Sequence, residues 1–155
     1  MIERLRGWFD ALGARPSWQR WLPVLAWGAT IWWLSSRSPR PGTPSTLTIF
    51  VFNGGHVVLF GTLAVLAHAA QRRIGRMRFL LAVVLASCYG AIDELHQAHV
   101  PGRDSSVFDW CSDTSGAVFG AALATWSRES LAWARRAAIA AVPAAIASVS
   151  CATFV

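Results

Sequence analysis

The chain contains no lysine; all 14 of its basic residues are arginine, a uniformity best read as coding bias toward GC-rich DNA. Charge of either sign is scarce. Charged residues make up 14% of the 155, about half the share usual in a soluble domain. That shortage points to a membrane protein. Cysteine is scarce too. Cys88, Cys111 and Cys151 form no CxxC pair, and an odd count argues against a disulfide framework or a zinc site. Each is expected to be a small buried hydrophobe. The net charge of +6 raises the question of nucleic acid. The arginines sit in short clusters between apolar segments, with no basic stripe and no interleaved aromatics, so no nucleic-acid partner is expected.

What is abundant is hydrophobic sequence, at 54%. A span needs about 20 apolar residues, and five stretches qualify as candidates: Trp18–Ser36, Ile49–Ala70, Phe79–Gln97, Phe108–Trp126 and Ala137–Val155. The last is alanine-rich and carries Pro143, so an interfacial placement stays open for it. No small-residue cleavage site follows the first stretch, which is read as retained. Ahead of it, Ile2, Leu5, Trp8, Phe9 and Leu12 fall near one helical face, the pattern of an amphipathic helix lying on a membrane surface. The expected fold is therefore all-α: a small polytopic transmembrane bundle of four to five spans behind a short interfacial helix. Its parts are that helix (1–17), a four-helix core (18–126), and a linker with a fifth helix (127–155).

Arginine placement orients the bundle. Eleven arginines lie ahead of the first span, at its leading edge (Arg20), or in the loops after the second and fourth; Arg37, Arg40 and Arg103 occupy the alternate loops. The N-terminus is expected in the cytoplasm. Tryptophans at both ends of the first span and at Trp110 and Trp126 fit interfacial belts, and His68 is read as interfacial.

Alternating helix direction then gathers the scarce ionisable groups. Asn53 and His56 lie near the outer end of the second span, Asp93, Glu94 and Gln97 near that of the third, and Asp109 and Asp113 in the first turns of the fourth. Asp93 and Gln97 are four apart, as are Asp109 and Asp113, so each pair shares a helix face. Gly116 and Gly120 continue the second stripe, beside Ser112 and Ala124, and let a neighbouring helix approach closely. Pro101 and Gly102 favour a bend that presents Arg103 at the mouth of the cluster. Asp104 reads as a solvated loop charge. Ionisable groups at membrane depth mark functional sites by default.

The run "DELHQAHVPGRDSSVFDWCSDTSGAVFG" resembles the signature of the VanZ-like membrane family. "WWLSSRSP" is similar to the end of that family's first span, and "NGGHVVLFGTLAVL" to its second. Asp93, Glu94, Gln97, Arg103 and Asp109 match the family pattern, and Asp113 stands where the family has Asn or Asp. Asn53, Leu59 and Phe60 depart from it, standing where the family often has lysine, an acidic residue and tyrosine. The resemblance implies a multi-pass protein of the bacterial cytoplasmic (inner) membrane. The family's name-giving member is linked to reduced sensitivity to the glycopeptide teicoplanin.

Two functions follow as expectations. One is a non-catalytic binder of a membrane lipid or lipid-linked cell-wall precursor, with Arg103, Gln97, Asp113 and Asn53 as binding residues and the glycopeptide affected indirectly. The other is an enzyme acting on a phosphate-bearing precursor, with Asp93, Glu94 or Asp109 as acid or base and His56 as proton shuttle. A purely structural reading has Arg103 or Arg37 pair with Asp93, Glu94 or Asp109 to pin helix ends. His96 and His99, three apart beside Asp93 and Glu94, do not form an HExxH run. No metal site and no cofactor are expected, and the oligomeric state is left open.

Overall fold

The computed structural model describes residues 2–38, 45–103, 105–129 and 131–154. Arg40 and Asp104 lie outside these, as do the side chains of Ile2 and Leu5. Among the described residues the chain is all helix: α1 (Ile2–Gly13), α2 (Ser17–Ser35), α3 (Thr46–Ala70), α4 (Gly75–Gln97), α5 (Val107–Glu129) and α6 (Ala132–Phe154), with no strand.

The helix boundaries follow from local chemistry. Ser45 caps α3, its side chain accepting from the Thr48 amide at 3.2 Å. Ser106 does the same for α5, its hydroxyl accepting from the amides of Phe108 at 3.2 Å and Asp109 at 3.4 Å. α4 starts at Gly75, whose φ of 58° is a conformation that glycine adopts at little cost. Gly102, at φ 79°, makes the expected bend after Pro101.

α3 and α5 form the centre. Both pack against α1, α4 and α6, and α3 also packs against α2. Their contact is the small-residue stripe anticipated from the sequence. A Cβ built on Gly116 would stand 2.8 Å from Val57 Cα and would collide with the Val57 carbonyl; one on Gly120 would collide with the Gly61 carbonyl. The two backbones therefore run against each other, as small-x-x-x-small faces permit. Around this seam Ile31, Phe60, Leu63, Ala86, Ala117 and Ala121 form the main apolar cluster.

Three helices, α3, α4 and α6 (Ala132–Thr153), are long and apolar enough to cross a membrane by length and composition. α2 and α5 are not among them. For α5 the reason is position. Its face of Ser112, Asp113, Gly116, Ala117, Gly120, Ala121, Ala124 and Thr125 is buried in protein and needs no lipid-compatible side chains. The stretch that carries Pro143 is continuous helix within α6.

Phe9 and Leu12 of the amphipathic α1 are buried against Val65, Ala69 and Ala124, so this part of its apolar face is turned to the bundle, while Trp8 stays exposed. Two expectations are corrected. His68 is not interfacial: it is fully buried, with Nε2 3.0 Å from Thr125 Oγ1. Cys88 and Cys151 are exposed and Cys111 half-buried, so none fills the core. A membrane bundle's outer surface is as apolar as its interior, which removes the usual link between hydrophobic residue and burial.

Candidate functional site

At the arginine-poor end of the bundle, α2, α3, α4 and α5 bring most of the sequence-predicted residues into one layer. His56 on α3 places Nδ1 2.9 Å from Oδ1 of Asp113 on α5. The Asp113 side chain is fully buried and that of His56 is 15% exposed. A carboxylate on Nδ1 fixes the ring's orientation and leaves Nε2 as the working nitrogen. Phe60, one turn along α3, stacks nearly parallel to the imidazole at 6.3 Å. Gly90 on α4 supplies the space: a Cβ there would lie 2.8 Å from Asp113 Oδ2.

Asp93, Glu94 and Gln97 of α4 lie alongside, and all three are buried. Oδ2 of Asp93 accepts two hydrogen bonds at 2.8 Å, one from Ser35 of α2 and one from Gln97 Nε2. Glu94 Oε2 accepts from the Ser106 amide at 2.8 Å, which ties the loop before α5 to α4. Asp109, in the first turn of α5, has a buried Oδ1 with no hydrogen-bond partner among the described residues; Asp93 Oδ1 and Asp113 Oδ2 are in the same position. The layer thus holds more acceptors than the described residues satisfy.

Two expected ligands have other engagements. Asn53 Nδ2 donates to Thr153 of α6 at 3.2 Å, linking α3 to the final helix. Arg103 donates from Nε to the Arg37 carbonyl at 3.0 Å, from Nη2 to the Leu34 carbonyl at 3.1 Å, and from Nη1 to Gln97 Oε1 at 3.2 Å. Its planar fork closes the end of α2. Among the described residues Arg103 and Arg37 form no ion pair with Asp93, Glu94 or Asp109, which removes the purely structural reading in its ion-pair form. Arg37 instead lies over the Trp33 ring, 3.6 Å from its centroid.

The two histidines His96 and His99 engage different partners. His96 stacks on Trp32 with centroids 3.8 Å apart and has Nε2 2.9 Å from Ser36 Oγ; His99 has Nδ1 2.8 Å from the Leu95 carbonyl. The donors that do converge are His56, Glu94 and Asp113, whose ligand atoms lie within 4.8 Å of one another. Imidazole with two carboxylates suits a first-row divalent cation. Spacing could not reveal this set, because each donor comes from a different helix. Spacing also gave no sign of Ser35 and Ser106.

A groove of about 250 Å³ between α4 and the start of α5 is lined by Glu94 together with Ser105, Ser106 and Trp110.

Fold and site together define an all-helical, membrane-type protein with a buried cluster of ionisable side chains near one end. The sequence model of the VanZ/LLP1 family matches residues 11–128, and the chain belongs to that family. No curated protein matches it, and no solved structure does.

Proposed function

We propose that this protein sits in the bacterial cytoplasmic membrane, N-terminus inside, and binds the polar head of an outer-leaflet lipid or lipid-linked cell-wall precursor. The single observation behind this reading is the buried His56–Asp113 pair beside Glu94, with acceptor oxygens left over and a groove lined in part by Glu94. Unsatisfied acceptors at that depth suit a headgroup rich in hydrogen-bond donors, such as sugar hydroxyls or an amine. Arg103 spends three of its five donors on Leu34, Arg37 and Gln97, which leaves it fewer for a phosphate. Reduced teicoplanin sensitivity would follow indirectly, through altered display of the precursor.

A second reading is catalysis. The Asp113–His56 arrangement is that of an oriented general base, and Glu94 stands within 4.8 Å as acid or metal ligand. A bound divalent cation would supply Lewis acidity there.

The test is a lipid and precursor inventory of cells that do or do not express the chain, with Glu94→Gln and His56→Ala alongside at matched expression. The binder predicts an unchanged inventory, with a headgroup co-purifying with the wild type and lost in both variants. The enzyme predicts a precursor that changes or accumulates, and no such change in either variant. An inventory unaffected by the protein, with nothing co-purifying, would overturn both.

A further inference from the structure

The opposite end of the bundle carries a second feature that the proposed function does not use. A groove of about 480 Å³ runs between the start of α2, the end of α3 and the first half of α4. Its polar rim includes Arg20, Arg72 and Arg73, with Ser17 and Gln71; its walls include Trp21, Leu81, Val84 and Leu85. We infer that this groove binds an anionic phospholipid of the arginine-rich leaflet, headgroup on the three arginines and acyl chain along α4.

Charge complementarity carries the first part. Arg20 is 3% exposed; its Nη2 reaches only Ser17 Oγ, at 3.1 Å, and its Nε is buried with no hydrogen-bond partner among the described residues. A buried guanidinium without an anion is costly, and this one lines an open groove. The ion pairs of the described residues are His56–Asp113 and Arg78–Glu129, so neither satisfies Arg20, Arg72 or Arg73. Glu129, on α5 at this end, is further occupied by the Gly75 amide at 2.8 Å.

Depth carries the second part. Arg72 and Arg73 lie in the connection between α3 and α4, at the level of the helix ends. Leu81 and Leu85 lie roughly 9 and 15 Å further along α4 from Gly75, at 1.5 Å per residue. That is the depth of one leaflet's hydrocarbon, about 15 Å. Leu81 and Val84 are exposed on this wall. Cation above and apolar surface below match a lipid, whereas a free phosphate would use only the rim. Arginine-rich ends face the cytoplasm, where the leaflet is anionic.

Native mass spectrometry of the full chain in detergent tests this, with phosphatidylglycerol and phosphatidylcholine of the same acyl chains, and inorganic phosphate as a third arm. The wild type is expected to prefer phosphatidylglycerol, and the double variant Arg72→Gln/Arg73→Gln to lose that preference by about fivefold or more. Both side chains are exposed, so folding should survive. Arg135→Gln/Arg136→Gln removes the same charge from exposed α6 positions that do not line the groove, and should retain it. Equal loss in both doubles would mean diffuse charge and overturn the site. So would equal binding of the two lipids, or inorganic phosphate competing as well as the lipid does.

Discussion

His56 and Asp113 are separated by 57 positions in sequence and by 2.9 Å in space, joined across the tightest seam of the bundle. Their pairing depends on Gly90 leaving room for the carboxylate and on α3 and α5 touching backbone to backbone.

The pair should behave as one unit. His56→Ala or Asp113→Ala alone leaves a buried polar partner stranded, at a cost of about 3–5 kcal/mol. The double variant should cost less than the sum of the singles by about 1 kcal/mol or more. Thermal or denaturant unfolding in detergent, run as a double-mutant cycle, checks this; strict additivity would mean that the two side chains do not interact.

Gly116→Ala forces a methyl group to within 2.8 Å of Val57 Cα. Overpacking of this kind costs about 1–3 kcal/mol. The expected result is a lowered melting temperature for Gly116→Ala and poor recovery of folded protein for Gly116→Leu. A melting temperature unchanged by leucine would mean that α3 and α5 do not meet here.

Arg103→Lys should not be a conservative change. An ammonium group cannot reproduce the planar fork that reaches Leu34, Arg37 and Gln97 together. Hydrogen exchange is expected to rise at the end of α2 and across residues 98–106 in the lysine variant, nearly as much as in Arg103→Ala. Wild-type protection in Arg103→Lys would assign the arginine a weaker structural role.

Sidedness is checked by thiol labelling in a background with Cys88, Cys111 and Cys151 changed to serine. A Ser105→Cys variant should react with an impermeant reagent added to intact cells, and an Arg135→Cys variant only after permeabilisation. The reverse pattern would place the ionisable layer on the cytoplasmic side.

Much of this architecture is legible in the sequence because membrane burial imposes length and periodicity. The apolar runs locate the helices, and Gly116 and Gly120 mark the close seam. Alternating direction is enough to bring His56, Glu94, Asp93 and Asp113 to one end. What escapes is atomic pairing. Arg103 binds backbone carbonyls, which every residue carries, so no pattern of side chains announces it. Asn53 has the right height but joins Thr153 of α6 rather than the cluster. Ser35 and Ser106 become recognisable only once the acceptor that each faces is known. His68 and the cysteines were misplaced because hydrophobicity does not separate a lipid-facing position from a core one.

The polarity of α5 constrains how the protein is made. Asp109 and Asp113 would each oppose insertion of a lone helix, by about 2.5–3.5 kcal/mol near its centre and less toward its ends. α3, α4 and α6 can each partition on their own apolarity. If α5 spans the membrane as proposed, it would enter with a neighbour already assembled against it, α3 or α4. An α5 segment expressed without α3 and α4 should fail to insert.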